Sequence, residues 1–307
     1  MPKTTARSRD TTTRSPSRDT DTTDTDAMGT KLSPALKALI NAPFAKPGPC
    51  PAPSKIRDVY SRIAQDAATH KLGQRPWLII SAAATFTLNS PDSLPILHSV
   101  ASSSTSSAEL IREVGLKCIS FNGIPRTINC LNAFHAALPA AVTSQLSTTP
   151  SRAPSEATLG ATTARGRALW DSVYAPFETK LYAKLARAHP DLPVHILHSH
   201  YAALLADPPA GEHGGLPSLG RVMTSVVAIA CLRAQTGVGP QVLSHVFGLR
   251  KALQDGTYEQ DGLDAEELAA ARWLAGDEGS EWILKSVDDI SAALGGSNFA
   301  QPRESRL

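Results

Sequence analysis

The chain has 307 residues, 42% of them hydrophobic, enough to bury a substantial core as one large domain or two fused units. Its 30 Lys and Arg stand against 28 Asp and Glu, a formal charge of +2, so no one-signed field steers it to nucleic acid or an anionic membrane. The four cysteines, Cys50, Cys118, Cys130 and Cys231, form no Cys-x-x-Cys pair, a usage that suits unpaired thiols in a reducing compartment rather than a disulfide framework or a zinc site.

Residues 1–35 read as a disordered tail. Through the first 30 residues Met28 is the only large apolar side chain after Met1, too little to offset the entropy of ordering the chain. The Arg, Ser and Thr content is that of a mitochondrial transit peptide, but Asp10, Asp19, Asp21, Asp24 and Asp26 argue against one. A Pro-rich passage, Pro43 to Pro53, leads into Ala- and Leu-rich segments with apolar residues spaced at three and four, and few alternate at period two. The predicted fold class is therefore all-α. The most apolar stretch, Trp77 to Phe86, falls short of the ~20 residues that cross a bilayer, so no membrane insertion is expected.

His98 follows on a second predicted helix, and Ala108-Glu109 opens another that carries Glu113 and Lys117 in the favourable i, i+4 order of a surface ion pair. In Phe121-Asn122-Gly123-Ile124-Pro125-Arg126, Gly123 permits a positive φ at a helix end and Pro125 suits the first turn of the next helix. Asn129, Asn132 and His135 then share one face, which lines a polar cavity or marks the solvent side. Residues 143–163 are dense in Ser, Thr, Pro and Gly and read as a linker between a first helical repeat, 36–142, and a second, 164–297. Of His195, His198 and His200, helical spacing puts only the first two on one face, and no carboxylate stands in register, so no metal is expected. Gly211 to Gly220 lacks the lysine of a phosphate loop, and no cofactor is expected.

The case for two repeats lies in register. Pro76-Trp77-Leu78-Ile79-Ile80-Ser81-Ala82-Ala83-Ala84 aligns with Met223-Thr224-Ser225-Val226-Val227-Ala228-Ile229-Ala230-Cys231, and the same offset, 147 residues, brings His98 onto His245. In each half an apolar helix, a polar break and a histidine-bearing helix precede an Ala-Glu start, at Ala108-Glu109 and Ala265-Glu266.

Glu109 to Val114, the Phe121-Asn122-Gly123-Ile124-Pro125 turn and Asn129 resemble the closing helix pair of carboxymuconolactone decarboxylase and alkylhydroperoxidase D-like domains. Ala228 to Gly237 and Leu243-Ser244-His245-Val246-Phe247-Gly248 resemble their central segment, preceded by a similar lead-in at His189-Pro190-Asp191-Leu192 and Tyr201. The resemblance spans roughly residues 55 to 295 in two copies. It implies an antiparallel helical bundle of two tandem decarboxylase-like repeats, with homo-oligomers as the common assembly.

The peroxidase branch of that family needs a Cys-x-x-Cys pair upstream of its histidine and a glutamate on the preceding helix. Matched to His245 those positions are Val238, Gln241 and Val226, and matched to His98 they are Pro91, Leu94 and Ile79, so dithiol peroxidase chemistry is not expected. The decarboxylase branch needs a stabilised enolate-like intermediate and a proton donor instead. On that resemblance His245 is the candidate general acid or base, His98 its counterpart, Glu113 an orienting acid, and Arg126 and Asn129 the substrate-binding groups. The alternative is a helical scaffold or binding protein that kept the fold without the activity.

The sequence closes on Ser305-Arg306-Leu307, which fits the small-basic-leucine tripeptide read by peroxisomal import receptors, approached by a polar, flexible segment, 298–307. The expected localisation is the peroxisome matrix, with mitochondrion or cytoplasm as lesser alternatives, and the import receptor is the expected partner.

Overall fold

In the computed structural model the described residues are 32–297, and all regular structure among them is helical. The disordered-tail reading for 1–31 and the targeting residues Ser305, Arg306 and Leu307 lie outside them. Two compact units divide at Pro47. In the first, helix α1, Pro34–Ile40, starts at Ser33, whose Oγ accepts the Leu36 N–H, with proline in the first turn where its missing N–H costs nothing. Helical structure thus begins within the stretch assigned to the tail.

A short 3-10 turn, Pro43–Ala45, also lies in the first unit, and the second holds the remaining helices. The first group is α2 Ile56–Thr69, α3 Gln74–Thr87, α4 Ser93–Val100, α5 Thr105–Lys117, α6 Ile119–Asn122, α7 Ile124–Ala137 and α8 Ala140–Thr143. After a loop come α9 Glu156–Tyr174, α10 Glu178–Ala188 and α11 Asp191–His195, which continues into a π-helical segment, Ile196–Leu205. The chain closes with α12 Gly220–Gln235, α13 Gly239–Gln254, α14 Ala265–Ala275 and α15 Asp277–Ala293.

The α6–α7 joint forms as the residues require. Gly123 has φ 77° and Pro125 stands in the first turn of α7. Between 143 and 163 the structure departs from the expected linker. Ser155 and Thr158 form a reciprocal capping box that starts α9 inside it, so hydroxyl residues that read as loop are the start of a 19-residue helix.

Helices α3 and α12 pack against each other at the centre, and nearly all of their side chains are buried. A helix apolar all round belongs in the middle of a protein rather than on its surface. Around them α2, α5, α13 and α15 complete one hydrophobic core that draws residues from Ile56 to Leu146 and from Leu219 to Leu294. A smaller cluster, Trp170, Leu197, Tyr201 and Leu205, joins α9 to the π-helical segment. There a Cβ on Gly166 would stand 2.3 Å from the Ala202 backbone, so only glycine allows the two helices to approach so closely. Among the described residues no helix is long and apolar enough to cross a membrane.

Candidate functional site

The five candidate residues are dispersed. His98, 3% exposed, holds Ser104 through Nε2 at 2.9 Å and meets Phe134 edge to face, so its ring ties the loop after α4 to the core. Glu113, 1% exposed, grips Arg152 through both carboxylate oxygens, at 2.5 and 3.3 Å. Lys117 is fully buried and pairs with Asp207 at 2.7 Å, while its Nζ also donates to the Leu205 carbonyl. The surface-pair reading of Glu113 with Lys117 is therefore wrong. The loop carrying Arg152 and the segment carrying Asp207 cover that face of α5 and bring partners that helical spacing cannot reveal. Asp207 is held below the ordinary carboxylate range: burial pushes it up, but Lys117 and the donors Gly220 and Ser218 outweigh burial.

Arg126 donates to the Thr87 carbonyl at the end of α3, and Asn129 donates to Asn89 Oδ1 at 3.2 Å on the exposed side of α7. Asn132 and His135 are exposed too, so that face is the solvent side. Both carry the α7 face rather than a cavity.

His245 alone stands at an internal cavity. It is 7% exposed, its Nδ1 is buried with no hydrogen-bond partner, and its ring meets Phe121 and Tyr174 edge to face, each at 6.2 Å between centroids. The free space beside it is about 10 Å³, room for about one water, and is bordered by Tyr201, Leu205, Arg221, Ser225 and Ala228 among others. Burial first, and then the Arg221 charge, push the imidazole down to about 4, so the ring is neutral at neutral pH.

Arg221 is the group that the sequence did not announce. It opens α12, whose first N–H groups are capped from a distance: Asp261 accepts from Arg221 N at 2.7 Å and Val222 N at 3.0 Å, and Asp207 accepts from Gly220 N at 2.6 Å. Its guanidinium, in a residue 4% exposed, donates to Ser172 Oγ at 2.6 Å, Ser225 Oγ at 2.5 Å, Gly248 O at 2.7 Å and Ser172 O at 3.2 Å. All four acceptors are neutral, and burial lowers the guanidinium to about 10. Four of its five N–H donors are engaged and its charge faces no ion-pair partner among the described residues. Beside it Tyr201 Oη donates to Tyr174 Oη at 3.0 Å, and burial first raises both phenols, so both stay protonated.

The arrangement can hold an anion and move a proton: a buried cation without a direct ion pair, on which Asp261 and Asp255 act only from a distance, a neutral imidazole with an open nitrogen, and two protonated phenols. The thiols are placed otherwise. Cys118 and Cys231 lie 3.5 Å apart, both fully buried, and burial first pushes Cys118 well above the ordinary thiol range. Neither is exposed beside a base, as a peroxidatic thiol must be. Among the described residues no three His, Cys, Asp or Glu are grouped to hold a metal ion. No protein-family model, curated protein or solved structure matches the chain.

Proposed function

We propose that this chain is a carboxymuconolactone decarboxylase-like protein of tandem helical repeats that acts on a small organic acid or lipid-derived intermediate at His245 and Arg221. The observation that carries the reading is the buried Arg221 guanidinium, bonded only to neutral acceptors and without a direct ion pair among the described residues, beside the open Nδ1 of His245. Placement of α3 against α12, the two helices matched in register, supports the repeat. A substrate carboxylate against Arg221 supplies the direct ion pair that Asp261 and Asp255, acting from a distance, do not. Its arrival also raises the basicity of His245, because an anion beside an imidazole favours the charged ring.

His245 then takes up a proton. Loss of carbon dioxide leaves the bonding pair on the adjacent carbon, delocalised into a neighbouring carbonyl, and His245 returns its proton to that carbon. Tyr174 acts as the neutral donor to the enolate oxygen, its hydroxyl polarised by the proton that Tyr201 donates to it. Space for one water admits no more than one carboxylate oxygen, and the rest of the acid enters only as the surrounding side chains move.

The second reading, a helical scaffold, draws support from that small space and from the packed His98. Carbon dioxide release from a panel of carboxylactones and β-keto acids separates the two, with wild type compared to His245→Gln and Arg221→Met. Release lost in both variants, with helical circular dichroism intact, supports the enzyme. No release by the wild type, together with a His245→Phe variant more stable than the parent, supports the scaffold.

We further propose delivery to the peroxisome matrix through Ser305-Arg306-Leu307, a reading that requires Leu307 to bear the free carboxylate. An N-terminally tagged full chain is expected to give punctate fluorescence that becomes diffuse when the tripeptide is removed. Diffuse signal in both would overturn it.

A further inference from the structure

The π-helical segment also borders a second and larger concavity, about 150 Å³, which shares no lining residue with the space beside His245. One wall is the α9 face that carries Thr158, Thr162 and Arg165, and the other is the segment from His198 through Ala202 to Ala206, with Arg152 and Glu212 also at its lining. Its two guanidiniums differ. Arg152 is spent on Glu113 in a bidentate pair, with Asp207 at 3.7 Å. Arg165 donates through Nη2 to Thr162 Oγ1 at 3.1 Å and makes no ion pair among the described residues, and its Nε is buried without an acceptor. Arg152 Nε is likewise buried without one.

Unsatisfied buried donors are costly, and folded proteins keep them where something accepts from them. A concavity with an apolar wall and a few convergent polar groups is the usual form of a small-molecule site. The segment that builds this wall is a ten-residue π-helix, a geometry that is rare and concentrated at functional sites. Gly166 keeps it pressed to α9.

We infer that this cleft binds a carboxylate with a short apolar body, the carboxylate received by Arg165 and the chain laid along Ala202, Ala203, Ala206, Pro208 and Pro209. Charge and lining select this class. Among the described residues at the lining, Arg165 is the guanidinium without an ion pair, and its single charge matches that of a carboxylate. A phosphate dianion would meet the same single cation with Glu212 nearby, a poorer balance. The alanine and proline wall suits methylene groups rather than a second polar end. This site is independent of the chemistry proposed at His245.

Titration calorimetry on the full chain tests it, with butanoate, hexanoate and octanoate as probes and hexanol and inorganic phosphate as controls. At least one of the three carboxylates is expected to bind about tenfold or more tightly than either control. Arg165→Gln is expected to weaken that binding by about tenfold or more. Ala203→Leu, at an exposed lining position where a larger side chain fills the cleft without entering the core, is expected to weaken it as much. His245→Gln is expected to leave it unchanged. Failure of all three carboxylates to bind overturns the inference, as does binding that survives both cleft variants. Phosphate binding as tight as the carboxylates overturns the assigned chemistry, and loss in His245→Gln alone places the carboxylate at the interior site instead.

Discussion

His98 and His245 stand in matching register on α4 and α13, and their rings meet different partners. His98 is hydrogen-bonded to Ser104 and packed on Phe134, with α4 ending two residues later. His245 lies early in a 16-residue helix against Phe121 and Tyr174, with a nitrogen left open and a cation beside it. The difference comes from what is laid against each helix. Helix α9 and the π-helical segment bring Tyr174, Ser172 and Tyr201 to α13, while α4 packs on α2, α3, α5 and α7. A shared helical register therefore does not carry a shared chemistry, because the neighbouring elements decide whether a histidine is satisfied.

The strongest way to sharpen this comparison is at Glu113, the acid assigned to the first half's site. Removing one partner of a buried pair leaves the other's charge uncompensated, so Glu113→Gln is expected to cost about 3–5 kcal/mol in urea unfolding. A loss below about 1 kcal/mol would mean that Arg152 is not held there and that Glu113 is free for another role.

The pH dependence of stability addresses His245 directly. Its folded value, about 4, lies below the ordinary 6.5, so the unfolded chain binds the proton more readily. Its contribution is fully present above about 6.5 and is lost as pH falls towards 4, a loss of roughly 3 kcal/mol by linkage. His245→Gln is expected to flatten the curve across that window. Asp207, held low, and Asp261, raised first by burial, also titrate in acid, but both are common to the parent and the variant, so the difference between their two curves reports the imidazole. An unchanged slope would place His245 in water rather than in the cavity.

His98→Ala probes the other histidine. It removes one of the donors to the Ser104 carbonyl, which keeps Ser107 Oγ and Ala108 N, and it empties the space the ring fills against Phe134, an expected cost of about 2 kcal/mol. Under the proposed function the variant keeps its activity, and loss of activity in a folded His98→Ala protein would restore His98 as a counterpart of His245.

The parts of this architecture that were legible were those in which one residue's own chemistry decides the outcome. The apolar runs placed α3 and α12, and Gly123 with Pro125 placed the α6–α7 joint. The reading failed where the partner is remote. Arg221 looks like an ordinary first-turn arginine, and nothing near it tells that Ser172 and Gly248, 49 and 27 residues away, will enclose it. Glu113 and Lys117 have the spacing of a surface pair, and only the covering segments that carry Arg152 and Asp207 show otherwise. The π-helical segment has no local signature either, since its ten residues read as helix at any nearby period.

The smallest expected effect bears on how α12 places Arg221. Helix α12 begins with its first N–H groups capped by the Asp261 carboxylate, whereas α3, aligned with it in sequence, begins at Gly73 with no side-chain cap from that residue. Asp261→Asn keeps an acceptor but loses the charge that favours the helix N-terminus and one of the two N–H contacts, so about 1 kcal/mol of stability is expected to go. The same cap fixes the backbone of Arg221, so the variant is also expected to loosen the guanidinium and weaken any acid bound there, without altering hexanoate binding in the α9 cleft. A stability loss with no change at the His245 site would show that Ser172, Ser225 and Gly248 hold Arg221 unaided.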